Sequence, residues 1–282
     1  MYRVCAVVLL LVLAGCAGIG GDTDSGDPSV DTTTPVPVPD ADPGPVGSSG
    51  IDDGGVSDPN AVATAHTERL DEESYRFVSN QTVRYENGSL RSRYRTDLRL
   101  AENRTYFVTV RTAGPEGPLL LGEPPATAEF WSDGETYLRA FGEPDPVYNE
   151  FSPSSSGVGT WGFWASTGAF EIQLSPRGAI EASFHSVPTR VDETRRVDGV
   201  DRYTLAEVEP TDADLPFPEA DPARNVTLEA EIDSTGLVRQ LDLEYEARID
   251  GEEVLVARSI GYSEVGTTGV GRPEWFDRAR EG

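Results

Sequence analysis

The sequence predicts an α+β domain, in which helices cover the concave face of one strongly curved antiparallel β-sheet. Apolar and polar residues alternate through many segments from residue 75 onward, and Asn-Gly or Asp-Gly dipeptides separate several of these segments. The alternation fails in one aromatic-rich stretch, residues 146–186. Short turns make neighbouring strands antiparallel, and a sheet with one polar face must bury the other. The interrupted stretch and an N-terminal helix are therefore expected to cover the apolar face.

Residues 1–15 are predicted to form a lipoprotein signal peptide. The apolar run over residues 4–14 is too short to cross a bilayer, which takes about 20 residues. It ends in Leu13-Ala14-Gly15-Cys16, which resembles the lipobox that directs lipidation of its cysteine. We expect Cys16 to hold the protein at the extracytoplasmic face of the cell membrane. The alternatives are an ordinary secretory signal with a chance cysteine and an uncleaved anchor.

Residues 16–57 are predicted to form a disordered tether that begins with the lipidated cysteine. This segment is rich in Asp, Pro, Gly and Thr and has few large apolar side chains, so it cannot bury a core. Its acidic residues repel one another and its prolines favour extended polyproline II. A single folded domain is predicted over residues 58–276, followed by a C-terminal tail over residues 277–282.

The composition excludes some functions and indicates an environment. The net charge is -26, and all 23 basic residues are arginine. Nucleic-acid binding depends on basic side chains that neutralise phosphates, so we expect no nucleic-acid partner. Acidic residues without lysine are typical of proteins from extremely halophilic archaea, although an acidic protein from moderate salt remains the alternative. Once Cys5 leaves with the signal and Cys16 is lipidated, no thiol remains for a disulfide or a metal.

The folded part is predicted to begin with a helix from Pro59 to about Glu73, because Asp58 suits the N-cap position and proline suits the first turn. Strands then follow, with outward arginines in an early strand and outward acids in two late ones. These charges either pair across strands or are simply solvated. The strands with the clearest alternation are Leu90–Leu100, Tyr106–Val110, Val226–Ile232, Leu241–Ile249 and Val254–Tyr262. Tight turns are expected at Asn87-Gly88, Asp133-Gly134, Asp198-Gly199 and Asp250-Gly251.

A short helix from Pro176 to Phe184 is predicted inside the interrupted stretch. The large apolar residues around it have two interpretations. They fill an ordinary core, or they line a cavity for an apolar ligand, since both uses need the same residue types. The candidate lining residues are Trp161, Phe163, Trp164, Phe170, Ile172 and Phe184.

The sequence carries no catalytic signature. Its only histidines are His66 and His185, in separate predicted helices, and neither lies in a Gly-x-Ser-x-Gly or His-Glu-x-x-His motif. We therefore expect surface or structural histidines, no metal site, no cofactor and no enzymatic activity.

Four of the six asparagines begin an N-glycosylation sequon, where chance would give about one. This excess favours an extracytoplasmic protein that carries glycans. The candidate acceptors are Asn80, Asn87, Asn103 and Asn225.

Four segments carry a family resemblance: 130–137 (FWSDGETY), 197–205 (VDGVDRYTL), 232–237 (IDSTGL) and 259–263 (SIGYS). With the lipobox and tether, they resemble the half-barrel superfamily of outer-membrane lipoprotein carriers and mycobacterial lipid-binding lipoproteins (LolA/LppX-like). The chain is most similar to haloarchaeal lipoproteins proposed to share that fold. The resemblance implies a half-barrel that holds acyl chains between sheet and lid.

The expected function is therefore that of a non-enzymatic, membrane-anchored lipoprotein that binds an apolar or lipid ligand. The alternative is a structural or protein-interaction module of the cell envelope, which displays an acidic, glycosylated sheet and binds no small molecule. The identity of any protein partner stays open.

Overall fold

The computed structural model describes residues 50–119, 123–142, 145–150, 176–215 and 223–281. These residues form one large sheet, a two-stranded ribbon and three helices. The helices are α1 (Pro59–Leu70), α2 (Pro176–Ser186) and α3 (Phe276–Glu281). The strands are β1 (Ile51–Asp52), β2 (Gly55–Val56), β3 (Tyr75–Tyr85), β4 (Leu90–Leu100), β5 (Tyr106–Ala113), β6 (Ala126–Ser132), β7 (Tyr137–Phe141), β8 (Val147–Glu150), β9 (Thr189–Val197), β10 (Val200–Glu207), β11 (Thr211–Ala213), β12 (Ala223–Asp233), β13 (Val238–Ile249) and β14 (Glu252–Ser263).

The large sheet has 12 strands, and all of its pairings are antiparallel. The strand order is β8-β7-β6-β5-β4-β3-β14-β13-β12-β10-β9, with β11 paired to β12. The last long strand, β14, lies beside the first, β3, so the two ends of the domain meet in the middle of the sheet. The sheet is strongly curved but does not close, because β8 and β9 remain edges. The predicted fold class is confirmed.

The predicted hairpins are present, although their turns differ in backbone conformation. Both residues have positive φ in Asp198-Gly199 (52° and 83°) and in Asp250-Gly251 (53° and 86°). These turns suit two-residue hairpins because their twist matches that of the flanking strands. In the β3–β4 turn only Gly88 has positive φ, at 82°. The dipeptide signal therefore located this turn correctly, but the turn does not need positive φ at both residues.

Helix α1 begins where the sequence predicts and ends three residues earlier, at Leu70. The Oδ1 atom of Asp58 accepts a hydrogen bond from the Ala61 amide at 3.0 Å, which satisfies one of the free amides of the first turn. Four residues of the helix are buried, and three of them lie at the i, i+4, i+8 spacing of one face. These residues are Val62, Ala63, His66 and Leu70.

Helices α1 and α2 pack against each other and cover part of the concave face. The Asn60 Nδ2 atom donates to Glu181 at 3.2 Å, and Arg177 donates to Thr64 at 3.3 Å. On the sheet side of α2, Ile180 and other apolar residues join one core with side chains from β3 to β7 and from β10 to β14. The helix predicted from Pro176 is therefore present, and it lies where a cover was expected.

The convex face is not uniformly polar, which corrects the expectation of a sheet with one wet side. A second apolar cluster lies there on β5 to β8, where Trp131 and Leu138 are cross-strand neighbours. The C-terminal segment covers it: Trp275 and Ala279 are buried, and the Trp131 indole donates to the Gly271 carbonyl at 3.0 Å. The reason is local, because β6 and β7 carry apolar residues at successive positions and are therefore apolar on both faces.

The outward charges form pairs, but not between the arginine-rich and acidic faces that the sequence suggested. Strands β3 and β14 separate β4 from β12 and β13. Glu231 instead binds Arg195 and Arg202, which lie on β9 and β10. Arg91 is an exception among the β4 arginines: it is only 8% exposed and lies 2.6 Å from the Asp250 carboxylate.

Candidate functional site

The concave face of β4, β3, β14 and β13 is the candidate ligand surface. Residues at alternate positions face the same side of a strand, so the cross-strand register builds rows of side chains. One row is apolar at its ends and polar in the middle, and the next contains two buried hydroxyls. The first row is Tyr94, Gln81, Arg258 and Leu243, and the second is Thr96, Ser79, Ile260 and Leu241.

Two small cavities adjoin these rows. One lies between β4, β3 and β14 and is lined by Ser79, Gln81, Tyr94 and Arg258; its volume is about 20 Å³. The other, also about 20 Å³, lies where Ser183 and the rest of α2 face β13 and β14. Arg258 lines both cavities. Each volume suffices for about one water molecule, so the packing of α2 against the sheet is incomplete around this arginine.

The chemistry of this patch differs from that of the core around it. Arg258 and Gln81 are half-buried, whereas the aliphatic residues beside them, such as Leu241 and Leu243, are almost completely buried. A guanidinium group offers several N–H donors in a planar fork that fits carboxylate and phosphate oxygens. The concave face therefore combines long apolar rows with one positively charged position, which suits an amphipathic molecule.

Of the predicted cavity-lining residues, the structure places one. Phe184 is 4% exposed and belongs to the core on the concave side. The predicted lipidation site, Cys16, lies outside the described residues. The other predicted lining residues, Trp161, Phe163, Trp164, Phe170 and Ile172, also lie outside the described residues.

His66 is a structural histidine. It is 2% exposed, its Nδ1 accepts a hydrogen bond from the Val238 amide at 3.2 Å, and its ring lies edge-on to Tyr262 at 4.5 Å. Burial lowers the pKa of His66 to about 4, and the nearby Asp233 carboxylate opposes this shift only in part. The imidazole is therefore neutral, and its acceptor nitrogen holds α1 to the start of β13. His185, in contrast, is exposed on α2.

A buried carboxylate that sequence analysis did not single out shapes the turn beneath α1. Asp233 is 1% exposed, and its Oδ1 accepts hydrogen bonds from the Thr235 amide at 3.0 Å and the Leu237 amide at 3.3 Å. Its Oδ2 pairs with Arg239 at 2.9 Å. The Thr235 hydroxyl also donates to Oδ1, so the two amides, this hydroxyl and the Arg239 guanidinium together compensate the burial of the charge. The sequence Asp-Ser-Thr-Gly indicates a turn at this position, but the burial of the Asp233 carboxylate depends on the docking of α1.

The four sequon asparagines occupy different surroundings. Asn87, Asn103 and Asn225 are exposed, the first two in hairpin turns and the third near the start of β12. Asn80 is half-buried in the middle of β3. Three of the four acceptors therefore lie in turns or near a strand terminus.

The convex face over β12 and β13 bears an acidic groove. Glu207, Glu229, Asp242 and Glu244 line it with Thr227, and its volume is about 480 Å³. Burial, with a contribution from the neighbouring Glu244 carboxylate, raises the pKa of Asp242. Four of the five residues that line this groove are acidic.

Within residues 50–119, 123–142, 145–150, 176–215 and 223–281, no three or more His, Cys, Asp or Glu side chains converge as a metal site would require. Among those same residues, no helix has the length and apolar character needed to cross a membrane.

Comparison with known proteins gives structural matches of low sequence identity. LprF from Mycobacterium bovis is 10% identical, over 77% of this chain and 96% of that one, with a TM-score of 0.38. The LolA superfamily protein NE2245 from Nitrosomonas europaea is 13% identical, over 74% of this chain and 94% of that one, with a TM-score of 0.22. A chain in the structure of the MucA/MucB complex of Pseudomonas aeruginosa is 14% identical, over 78% of this chain and 60% of that one, with a TM-score of 0.27.

Comparison with curated protein sequences gives no significant match. A model of one protein family, in contrast, covers almost the whole chain, from residue 2 to residue 279. The chain therefore belongs to DUF7537, a family of unknown function.

Proposed function

We propose that this protein is a lipoprotein without enzymatic activity, which is anchored through Cys16 at the extracytoplasmic face of the membrane and binds an apolar or lipid ligand. The ligand lies between the concave sheet face and its helical cover. The observation that carries this proposal is the incomplete packing around Arg258, which lines two cavities, one of them beneath α2. An ordinary structural core would fill this space with aliphatic side chains.

The rows of the concave face suggest how the ligand is oriented. Its hydrocarbon part lies along apolar residues such as Leu241 and Leu243, and its polar end lies near Arg258 and Gln81. The present cavities hold about one water each, far less than the 300 Å³ or more that is usual for ligand pockets. Binding therefore requires α2 to move away from β13 and β14. The remaining wall is assigned to the aromatic residues between Trp161 and Ile172.

Mass spectrometry of extracted protein tests for the ligand. The full chain carrying Cys16→Ser is purified without detergent and extracted with organic solvent. An apolar or amphipathic compound recovered in stoichiometric amount supports the proposal, whereas protein that repeatedly yields none contradicts it.

A pair of matched substitutions tests the location of the ligand. Ala179 is buried in α2 and lines the cavity beneath that helix, so Ala179→Leu should fill the cavity and abolish ligand recovery. Ala257 lies on the opposite face of β14, next to Thr82 and Glu244, so Ala257→Leu adds the same atoms without this effect. Equal ligand recovery from the two variants would place the ligand elsewhere. If Ala179→Leu does not fold, Arg258→Gln replaces it and should change the headgroup chemistry of the recovered compound.

Anchoring is tested separately by fractionation. The Cys16→Ser protein should move from the membrane fraction to the soluble fraction, because it has lost the site of acylation. Retention of an unprocessed chain in the membrane would show that the N-terminal segment itself is the anchor.

A second function is favoured by the acidic groove on the convex face. A module that binds a basic protein partner would present such a surface, and Glu229, Asp242 and Glu244 lie together in this groove. Cross-linking in cells should then capture one partner, and charge reversal at Glu229 and Glu244 should abolish the cross-link. If the cross-link persists in that variant, the groove is not the interface.

A further inference from the structure

We propose that N-linked glycans are attached to Asn87, Asn103 and Asn225 but not to Asn80, and that two of these glycans cover one groove on the convex side of the sheet. This inference concerns the outer surface and does not depend on the ligand proposed for the concave face. It rests on the exposure of each acceptor amide, on the hydrogen bonds that its carboxamide makes, and on the positions of the sequons in the strand register.

The transfer reaction sets the geometric requirement. The asparagine Nδ2 attacks C1 of the first sugar of a lipid-phosphate-linked oligosaccharide. The Nδ2–C1 bond forms as the C1–O bond to the phosphate breaks; the lipid phosphate leaves, and the amide proton goes to a base of the transferase. The sequon must therefore reach the transferase with its Nδ2 accessible, which is easiest in an exposed turn.

Asn87 and Asn103 meet this requirement. The Oδ1 of Asn87 accepts hydrogen bonds from the Ser89 amide at 2.9 Å and from the Ser89 hydroxyl at 2.7 Å. The Oδ1 of Asn103 accepts from the Thr105 amide at 3.1 Å. In both turns the carboxamide oxygen thus faces the third residue of the sequon, and none of these hydrogen bonds uses the Nδ2 atom.

Asn225 is exposed near the start of β12. Its φ is 51°, a conformation that asparagine tolerates better than most residues, and it follows Arg224, with which the pairing of β12 to β13 begins. The pairing with β13 resumes only at Thr227, the third residue of the sequon. The side chain of Asn225 therefore lies where the strand is locally irregular, which favours access.

Asn80 does not meet the requirement. It lies in the middle of β3, opposite Arg95 on one neighbouring strand and Ser259 on the other. Its Nδ2 donates to the hydroxyl of Thr82, the third residue of its own sequon, at 3.2 Å. A transferase could reach this amide only if β3 left the centre of the sheet, which would break hydrogen bonds on both sides of the strand.

The groove lies at the end of the sheet that carries the β3–β4 turn, and its volume is about 460 Å³. Its floor is a row of cross-strand neighbours on β12, β13, β14 and β3, namely Arg224, Glu246, Leu255 and Arg84. Leu255 is 43% exposed and lies in the middle of this charged row. The floor thus combines one apolar contact with charged groups that can bind sugar hydroxyls.

Two of the proposed acceptors stand on opposite rims of this groove. Asn87 precedes Gly88, which lines one side, and Asn225 follows Arg224, which lines the other. Three strand spacings separate the ends of the floor, or about 14 Å, which a short oligosaccharide can cover from each side. The glycans on Asn87 and Asn225 therefore shield Leu255 from solvent. Asn103 lies in the β4–β5 turn, at the other end of β4, and does not contribute.

Glycopeptide mass spectrometry tests the predicted occupancy. In protein purified from its native host, peptides that contain Asn87, Asn103 and Asn225 should carry a glycan mass, and the peptide with Asn80 should not. Modification of Asn80, or an unmodified peptide at any of the other three positions, would overturn the assignment. Loss of one glycan mass in each of Asn87→Gln, Asn103→Gln and Asn225→Gln, and no change in Asn80→Gln, would confirm it.

Binding of an apolar fluorescent dye tests the shielding of Leu255. The double variant Asn87→Gln, Asn225→Gln should bind more dye than the wild type, and adding Leu255→Thr should reverse the increase. Asn103→Gln, which removes one glycan from the other end of the strand, should leave dye binding unchanged. An unchanged signal in the double variant, or an increase that Leu255→Thr does not reverse, would contradict the shielding.

A second route removes the same two glycans without altering the asparagines, in case the double variant does not fold. Ser89→Ala and Thr227→Ala each destroy one sequon at its third position. Together they should reproduce both the loss of the two glycan masses and the increase in dye binding. If the glycans are lost and dye binding does not increase, the groove is not the surface that they cover.

Discussion

His66 makes the stability of the fold depend on pH, and the effect is large enough to measure. The ring is almost completely buried, and burial lowers its pKa from 6.5 to about 4. In the folded protein Nδ1 must stay unprotonated, because it accepts the Val238 amide hydrogen. In the unfolded chain the same imidazole is solvated and takes up a proton near pH 6.5.

The sign of the effect follows from where the proton binds. Between pH 6.5 and about 4 the unfolded chain binds more protons at this residue than the folded chain, so the free energy of unfolding falls as the pH falls. The contribution is fully present above pH 6.5 and is lost on acidification through that window. A pKa lowered from 6.5 to about 4 corresponds to about 3 kcal/mol, or at most about 1.4 kcal/mol per pH unit.

The variant His66→Asn isolates this contribution. Its side-chain oxygen can take the place of Nδ1 as the acceptor, but it does not titrate. The free energy of unfolding is measured by urea titration at several pH values between 7 and 4, in one fixed salt concentration that keeps the screening of the many carboxylates constant. The difference between wild type and variant should shrink by about 3 kcal/mol over this range. His185→Asn, the same change at an exposed position of α2, controls for the loss of an imidazole. If the difference in unfolding free energy between wild type and His66→Asn stays constant with pH, the reasoning is refuted.

Two further predictions concern contacts that fix the ends of the fold. Gly236 has φ of 87°, and a Cβ placed there would lie 2.5 Å from the Cβ of Ala65; Gly251, with φ of 86°, has no atom within 4 Å of such a Cβ. Gly251→Ala should therefore lower the free energy of unfolding by about 1 kcal/mol, from backbone strain alone. Gly236→Ala should lower it by about 1 to 3 kcal/mol more, because the added methyl group also collides with α1. Equal losses for the two variants in urea titration would show that α1 does not approach Gly236 closely. Trp275 is buried, and its indole donates to Glu129 at 2.6 Å. Trp275→Ala should cost about 3 kcal/mol and Trp275→Phe about 1 kcal/mol, and a neutral Trp275→Ala would mean that the C-terminal segment does not stabilise the sheet.

Patterns that act within a few residues made much of the fold predictable. Alternation located the long strands, and the Asp-Pro signal located the start of α1, because both depend on local periodicity and capping. The cluster around Trp131 and Trp275 was not predictable in the same way. Its partners are separated by more than 140 residues, and nothing near Trp275 in sequence indicates which face of which strand it covers. The order of strands also had to come from the structure, and it decided which charged faces meet.

The candidate site was predictable to a smaller extent. The absence of a catalytic motif predicted a surface or structural role for His66, but its acceptor role depends on the amide of Val238, which lies 172 residues away. The position of Arg258 carried no local signal either. In the sequence it occupies an apolar register position between Val256 and Ile260, where alternation alone predicts an aliphatic residue. A charge that breaks the apolar pattern of a core strand is therefore the feature that could have identified the concave patch.

The two covering helices are held by contacts of different kinds. Helix α1 is held by a buried hydrogen bond from Val238 to His66 and by the close approach of Gly236, and such contacts are expensive to break without compensation. Helix α2 contributes Ile180 to the core but also faces the sheet with the small residues Ala179 and Ser183, which border a cavity. Of its polar contacts to α1, the one to Asn60 is exposed and the one from Arg177 is part-buried. Exposed polar contacts contribute little to stability, so the contact between Asn60 and Glu181 holds α2 less firmly than the buried hydrogen bond to His66 holds α1. If a ligand enters beneath Ala179 as proposed, we expect α2 to move while α1 and the turn that it covers remain in place.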